Sequence, residues 1–169
     1  NYNNINVNQY DADREIPSAI QTSVVNFVST KYPIDLYPLI IEPGIGTGRW
    51  AIPFSHAGYN IYGVDVSEKM LKILEERVVE KAILNIQFEK GDIYSLNTKN
   101  EHFNICIVSH LFHLLGYLEK PITEIIRTLN KTHGVIINIK SGKGNSIPIL
   151  SRWYIEQLEI YGYQVKSFS

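Results

Sequence analysis

Short apolar runs alternate with helix-like segments along most of the 169 residues. Runs of this length and composition are typical of buried strands, and we predict strands at 39–42, 60–66, 85–93, 103–109 and 134–140. Parallel strands separated by helices are joined by right-handed crossovers. The pattern therefore predicts an α/β protein with a doubly wound, mostly parallel sheet and helices on both faces.

The segments between these strands carry helix signals. Pro17 stands at the start of a predicted helix over 16–31, where its missing amide hydrogen costs nothing, and Ser67 is a good N-cap for the helix after the second strand. A further helix is predicted over "RWAIPFSHAG". Apolar residues recur at helical spacing in three groups: Ile20, Val24, Phe27 and Val28; Met70, Leu71, Leu74 and Val78; and Ile122, Ile125, Ile126 and Leu129.

The charge pattern and the hydropathy limit the classes of partner. The net charge is −1, from 16 basic and 17 acidic residues, and no run of like charge suggests the basic face of a nucleic-acid binder. No apolar segment approaches the ~20 residues of a membrane span, and the N-terminus is polar, unlike a signal peptide. We expect one cytoplasmic domain over 1–169, with 1–15 as an N-terminal arm or lid.

The stretch "EPGIGTGRW" is the clearest candidate for a binding loop. Gly44, Gly46 and Gly48 follow a predicted strand, and ligands of open parallel sheets bind at the carboxyl ends of the strands. Glycine has no side chain to hold a ligand off the backbone, although a loop like this also serves as a purely structural turn. Arg49 stands where a dinucleotide fingerprint has its third glycine, and no phosphate-binding P-loop is present, so a nicotinamide-dependent oxidoreductase is disfavoured.

Two acidic residues follow the next two predicted strands. Asp65 comes after Gly48 at roughly the spacing at which a carboxylate binds ribose hydroxyls in nucleotide sites. Its alternative role is to cap the next helix, for which Ser67 is better placed. Asp92 in "GDI" can accept a hydrogen bond from an adenine amine, and its alternative role is that of a turn residue.

These stretches, together with "YGVDVSEKML" and "FNICIVSHLFHLL" followed by "LNKTHGVIINI", resemble a class I S-adenosylmethionine-dependent methyltransferase. The similarity runs in order over about 10 to 140 and is greatest to the small-molecule branch that includes ubiquinone and menaquinone biosynthesis methyltransferases. It implies a Rossmann-like fold, S-adenosylmethionine as cofactor, S-adenosylhomocysteine as product, and methyl transfer to an O, N or C atom of a small-molecule acceptor.

The resemblance also implies roles for individual residues. Glu42 and the loop with Gly44, Gly46 and Gly48 would hold the methionine end, and Asp65 the ribose diol. The remaining implied contacts are packing of adenine by Val66 and Met70, recognition of its edge by Asp92 and Ile93, proximity of Ser109 to the sulfonium, and closure over the cofactor by Tyr10 and Arg14 in "YDADR".

Transfer of a methyl group from a sulfonium needs chiefly alignment and exclusion of water. His110 and His113 are candidate bases for a phenol or alcohol acceptor, and on a helix they would share a face; alternatively, His113 is a packed histidine. Their spacing is not a zinc motif, and the single cysteine, Cys106, reads as buried and unreactive, so no metal is expected. Candidate acceptor-pocket residues, with core packing as the alternative for most, are Trp50, Phe112, Trp153 and Tyr154.

The C-terminal segment departs from the family pattern. After "NIK" the sequence fits a helix, a "YGY" turn and one strand, whereas the family has a further helix region, a sixth strand and an antiparallel seventh strand. We identify no seventh strand, which indicates a shortened chain or residues absent near 142–146. This departure keeps open an alternative function, that of a catalytically silent S-adenosylmethionine-binding regulatory or partner subunit.

Overall fold

The computed structural model describes residues 16–139, and its centre is a five-stranded sheet. Every strand pair in the sheet is parallel, and the strand order is β3-β2-β1-β4-β5. The strands are β1 (Leu39–Pro43), β2 (Asn60–Asp65), β3 (Ile86–Lys90), β4 (Ile105–Ser109) and β5 (Val135–Ile139). The predicted fold class, a doubly wound parallel sheet, is confirmed.

Helices cover both faces of this sheet. Three of them contribute to one apolar core and one to the other, and within 16–139 none is long and apolar enough to cross a membrane. The first core includes residues of α1 (Ser18–Lys31), α2 (Ala51–His56) and α3 (Glu68–Glu80), and the second includes residues of α4 (Glu119–Thr128).

The predicted apolar face of α1 is partly wrong. Val25 and Val28 are its buried residues, whereas Ile20 and Phe27 are 53% and 44% exposed. Helical spacing alone predicted a wider apolar face than the one that α1 buries. The reason is that α1 lies on the outside of the domain, where it packs beside α2. A helix in that position buries only a narrow strip.

The connection between β3 and β4 contains no helix, and Arg127 of α4 holds it in place. The Arg127 guanidinium donates to the carbonyl oxygens of Leu96 and Thr98, each at 2.8 Å, and to Glu124 Oε2 at 2.9 Å. The Leu96 amide in turn donates to Glu124 Oε2 at 3.0 Å. The Arg127–Glu124 ion pair therefore fixes the connection between β3 and β4, a role that helices have in the other crossovers of the sheet.

The strand order reverses between β1 and β4, and this reversal fixes where a ligand can enter. β1 pairs with β2 on one side and with β4 on the other, so the segments after β1 and β4 diverge to opposite faces of the sheet. Open α/β sheets bind ligands in the crevice at the carboxyl ends of strands at such a point. The loop after β1 therefore borders the expected crevice.

Gly63 on β2 makes room for that loop. A Cβ atom at Gly63 would lie 2.1 Å from Cδ1 and 2.8 Å from Cβ of Ile45. Ile45 is only 3% exposed and belongs to the first apolar core. The loop is thus seated against the strand through Ile45, and no side chain larger than hydrogen fits opposite it.

We expect Gly63→Ala to lower the free energy of unfolding by about 1–3 kcal/mol, the usual cost of overpacking a core. Urea unfolding followed by circular dichroism measures this change. Gly116→Ala is the matched control, because nothing lies within 4 Å of a Cβ atom at Gly116. Equal effects of the two substitutions would contradict this account of the loop's seating.

Candidate functional site

A cavity of about 280 Å³ lies at the carboxyl ends of the four strands β1 to β4. It brings together most of the site residues predicted from the sequence, although Gly48 and His113 are not among its lining residues. The predicted residues that line it are Glu42, Gly44, Gly46, Asp65, Val66, Met70, Asp92, Ile93, Ser109 and His110.

The glycine loop is hydrogen-bonded to the end of β2. The Gly44 and Ile45 amides donate to the Val64 carbonyl at 2.7 and 3.2 Å, and the Gly46 amide donates to Asp65 Oδ2 at 2.8 Å. Gly46 has φ = +55°, and a Cβ atom there would meet nothing nearer than 3.9 Å. Its bare Cα therefore faces open space, which lets a ligand approach the backbone.

Gly48 serves the packing behind the loop. With φ = +82°, it would place a Cβ atom 2.5 Å from Leu74 Cδ1 of α3 and 3.3 Å from Ile52 of α2. Gly48 therefore allows the side chains of the two following helices to pack closely behind the loop.

Asp65 acts as a bridge between two backbone segments. Its Oδ2 accepts from the Gly46 amide, and its Oδ1 accepts from the Ser67 amide at 2.9 Å. Burial raises the pKa of this carboxyl group, and backbone hydrogen bonds from Ser67, Gly46 and Val66 oppose that rise. Ser67 is the N-cap of α3, as predicted, because its hydroxyl accepts from the Met70 amide at 3.4 Å. The Asp65 carboxylate keeps acceptor capacity for a further donor.

Glu42 is the most deeply buried acidic group of the cavity wall. It is 2% exposed, the Ala51 amide donates to its carboxylate, and within 16–139 its Oε2 has no hydrogen-bond partner. Burial raises its pKa from 4.5 to about 8, against the attraction of the nearby Arg49 guanidinium, and the Asp65 charge adds to the rise. A buried carboxyl oxygen without a partner is costly, so this oxygen is a candidate contact for a ligand.

Asp92 has the turn geometry that the sequence offered as its alternative role. Its Oδ1 accepts from the Tyr94 amide at 3.0 Å, and its side chain is exposed at the edge of the cavity. Ile93 is 6% exposed and packs into the second core, while also lining the cavity. Recognition of a ligand edge by these two residues stays a prediction.

Val66 and Met70 line the same part of the cavity with different exposure. Val66 is 56% exposed at the rim, whereas Met70 is 3% exposed on α3. Both offer apolar surface to the cavity. This arrangement is compatible with the packing of a flat apolar group there.

Ser109 ends β4 at the strand-order reversal and is hydrogen-bonded to Trp50. The Trp50 indole Nε1 donates to Ser109 Oγ at 3.2 Å, and Trp50 itself is 3% exposed while lining the cavity. Because the indole is only a donor, the Ser109 oxygen is the acceptor in this bond. Its own O–H proton is therefore oriented away from Trp50.

His110 and His113 do not share a helical face, and that prediction was wrong. His110 has φ = +50° and precedes the short 3₁₀ helix Phe112–Leu114, so the chain turns sharply before the second histidine. The two rings are nevertheless near each other, with centroids 6.4 Å apart and planes at 87°. His113 is exposed, so it is not the packed histidine of the alternative interpretation.

Several wall residues were not found by sequence reasoning. Leu111, Leu114 and Leu115 line the cavity from the segment after β4, and Tyr94 lines it from the segment after β3. From the stretch "SHLFHLL", the sequence analysis singled out Ser109, the two histidines and Phe112, but none of the leucines. The rule that segments after strand ends line the crevice would have drawn attention to the leucines as well.

The remaining predictions fall outside this cavity or outside the described residues. Phe112 packs against the second core and is not a lining residue, while Cys106 is fully buried, as predicted. Within 16–139 no cluster of side chains is suited to hold a metal ion. The predictions that lie outside 16–139 concern the arm 1–15 with Tyr10 and Arg14, the pocket candidates Trp153 and Tyr154, and the C-terminal strands.

Comparison with known proteins identifies related sequences and folds. A family model described as a methyltransferase domain matches residues 40–132, more than half of the chain. The uncharacterized methyltransferase YcgJ of Bacillus subtilis is 26% identical over 92 residues, which cover 54% of this chain. The demethylmenaquinone methyltransferase of Lactococcus lactis is 29% identical over 133 residues, which cover 76% of this chain.

The fold also resembles that of a solved SAM-dependent methyltransferase from Aquifex aeolicus. The TM-score is 0.69 at 20% identity, and the match covers 90% of this chain and 86% of that one. The two curated relatives are longer than the matched regions, which cover 36% of the Bacillus protein and 50% of the Lactococcus protein. The chain thus spans half or less of the length of these relatives.

We expect Glu42→Gln to change how stability depends on pH. Because the pKa of Glu42 is about 8 in the folded chain and 4.5 without burial, the unfolded chain binds fewer protons between these values, and stability falls as the pH rises. Below pH 4.5 the group is protonated in both states, so it adds nothing to the dependence of the unfolding free energy on pH. Relative to the variant, the parent should lose roughly 3–5 kcal/mol of unfolding free energy between pH 4.5 and 8.

Urea unfolding at several pH values measures this difference. The decisive quantity is the slope of the unfolding free energy with pH, because the amide of the Glu42→Gln variant changes that free energy by the same amount at every pH. Glu68→Gln is the control: Lys90 holds the pKa of this exposed group below its usual value, so any pH effect has the opposite sign. Parallel pH profiles for the parent and Glu42→Gln would show that Glu42 titrates normally.

Proposed function

Because the chain belongs to the methyltransferase-domain family, we propose that it binds S-adenosylmethionine and catalyses transfer of the methyl group to a small-molecule acceptor. The observation that carries this proposal is the cavity at the strand-order reversal, where the glycine loop, Glu42, Asp65 and Ser109 meet. We further propose that 1–169 acts as one methyltransferase domain, with 1–15 closing over the cofactor through Tyr10 and Arg14.

Three features of the cavity fit this cofactor. The open space beside the Gly46 Cα admits a ligand against the backbone. Glu42 Oε2 is a buried acceptor that no residue within 16–139 engages, and it is suited to the ammonium of the methionine end. Asp65 accepts backbone amides on both oxygens and keeps acceptor capacity for a ribose hydroxyl.

The adenine would lie beyond Asp65. Val66 and Met70 would pack on its faces, and Asp92 and Ile93 would meet its edge. Since Met70 is buried and Val66 is exposed at the rim, one face of the ring would be covered more completely than the other. A methionine thioether on an aromatic face adds a modest favourable contact.

The bound cofactor supplies a methyl group on a sulfonium, which is already activated for in-line displacement. The residues of the chain therefore contribute orientation, exclusion of water and control of one proton. Leu111 and Leu115 line the cavity from the segment after β4, and their apolar side chains would limit the access of water. The Ser109 O–H, directed away from Trp50, can donate to an acceptor oxygen, and His110, on the cavity wall, would take up the proton of a hydroxyl acceptor.

The mouth of the cavity favours an acceptor with an apolar part. Leu114, which lines the cavity with Leu111 and Leu115, is 46% exposed, and Tyr117, which is hydrogen-bonded to the lining residue Tyr94, is 84% exposed. The Tyr94 hydroxyl donates to the Tyr117 carbonyl at 3.2 Å, which fixes this side of the rim. The Lactococcus relative is named for demethylmenaquinone, and we propose that this chain acts on a hydroxylated aromatic compound with an apolar substituent.

Calorimetric titration with S-adenosylmethionine, S-adenosylhomocysteine and NAD in parallel tests the cofactor. We expect micromolar dissociation constants for the first two ligands and no binding of NAD, because the G-x-G-x-G spacing differs from the dinucleotide fingerprint. Binding of NAD alone would overturn the proposal in favour of an oxidoreductase.

Asp65→Asn extends the same test. An amide nitrogen would face the Gly46 or Ser67 amide, and one ribose acceptor would be lost, so affinity for S-adenosylhomocysteine should fall by about 1–3 kcal/mol. Glu68→Gln, which removes the same charge from an exposed neighbouring side chain, should leave affinity unchanged. Unchanged affinity in Asp65→Asn would exclude the ribose contact.

A panel of phenols and quinols, with and without alkyl substituents, tests the acceptor and His110. Formation of S-adenosylhomocysteine should be fastest with alkylated members, and His110→Gln should lower kcat by roughly a hundredfold or more, without weakening cofactor binding. His102→Gln is the control, because His102 is an exposed histidine before β4 that does not line the candidate site. Turnover of hydrophilic amines in preference to phenols would contradict the acceptor proposal.

A further inference from the structure

The Glu42 carboxyl group combines deep burial with an unused hydrogen-bonding atom that borders a cavity. We propose that Glu42 is protonated when the cavity holds no ligand and releases its proton when the ammonium of the methionine end binds, so that cofactor binding is coupled to proton release. This inference rests on the proposed function, and it concerns the charge state of the site rather than the identity of the cofactor.

The geometry around Glu42 favours a neutral carboxyl group. The side chain is 2% exposed near the end of β1, the central strand of the sheet. The Ala51 backbone amide donates to it, and Oε2 has no hydrogen-bond partner among the residues that the structure describes. Transfer of an ionised carboxylate into such surroundings costs several kcal/mol unless a cation and further donors meet it.

In the described part of the chain, the charged and titratable groups around Glu42 do not supply that compensation. Arg49, in the loop after β1, attracts the ionised form, whereas Asp65 at the end of β2 repels it. Cys106, on β4, is fully buried, and the Glu42 charge disfavours its thiolate. Burial outweighs the Arg49 attraction and raises the pKa of Glu42 to about 8, in agreement with the geometric argument.

A bound ammonium changes this balance. A carboxylate that meets a cation at hydrogen-bond distance forms a charge-assisted bond that a neutral carboxyl group does not form. The proton of Glu42 then leaves to solvent through the mouth of the cavity. Binding thus brings the positive charge of the ligand ammonium to the cavity wall and removes the positive charge of the released proton. The net charge at the wall is therefore unchanged.

This coupling makes Glu42 a specificity-determining residue for the amino acid end of the ligand. A nucleoside that lacks the ammonium cannot drive ionisation and leaves the proton on Glu42. For S-adenosylhomocysteine, affinity should rise about tenfold per pH unit between pH 5.5 and 7. In this range the ligand amine stays protonated, since an α-amino group titrates near 8.

Calorimetry in buffers of different ionisation enthalpy counts the released protons directly. At pH 6.8, titration of the parent chain with S-adenosylhomocysteine in phosphate and in imidazole should report about one proton released per ligand bound. 5′-Deoxy-5′-methylthioadenosine is the matched ligand, because it keeps the adenine, the ribose and the thioether but lacks the amino acid. We expect it to release almost none.

Glu42→Gln is the decisive variant, and it should abolish both the proton release and the rise of affinity with pH. Binding of 5′-deoxy-5′-methylthioadenosine to the variant shows that its cavity is intact. An equal proton count in the parent and the variant would overturn the proposal, as would a count that disappears in His110→Gln but persists in Glu42→Gln.

The same titrations also distinguish failure of the proton coupling from failure of the proposed function. Tight binding of S-adenosylhomocysteine without proton release would refute the coupling and leave the cofactor assignment in place. Failure of both S-adenosylmethionine and S-adenosylhomocysteine to bind would refute the proposed function and this inference together.

Discussion

The bridge that Asp65 forms between Gly46 and Ser67 is the interaction on which the site depends. One carboxylate holds the glycine loop after β1 and the start of α3 after β2, since each oxygen accepts one backbone amide. The Val64 carbonyl adds two bonds to the same loop. Gly63 leaves space for the Ile45 side chain beneath the loop. The loop therefore packs against the sheet in one position. The cavity wall that faces Glu42 and Ser109 follows from that position.

The two carboxyl groups of the cavity differ because their backbone surroundings differ. Burial raises the pKa of both, but Asp65 lies where three backbone amides oppose that rise. Glu42 lies one strand inward, where one backbone amide, that of Ala51, and the Arg49 charge act against a larger burial effect. Asp65 is therefore suited to accept neutral hydroxyl donors, while Glu42 is suited to respond to a cation. The same residue chemistry thus gives two kinds of ligand contact on adjacent strands.

Sequence reasoning was most successful where a pattern has one physical interpretation. Apolar runs between helices predicted all five strands of the described sheet, and the helix cap at Ser67 was confirmed. It was wrong where the outcome depended on neighbours: Ile20 and Phe27 are exposed because α1 buries only a narrow strip, and His110 is not helical because the chain turns at a positive φ. The leucines after β4 were missed because their periodicity does not reveal that they border a cavity.

The sequence by itself determined the parallel α/β sheet, the glycine loop and the strand ends that carry Glu42, Asp65 and Ser109. These features are local, because strand length, turn residues and helix caps are properties of short segments. Only the tertiary structure decided which of these groups share a cavity, that Trp50 holds Ser109, and that Glu42 Oε2 is left without a partner within 16–139. Burial and hydrogen bonding depend on residues distant in the chain, so the charge state of Glu42 is a property of the folded sheet.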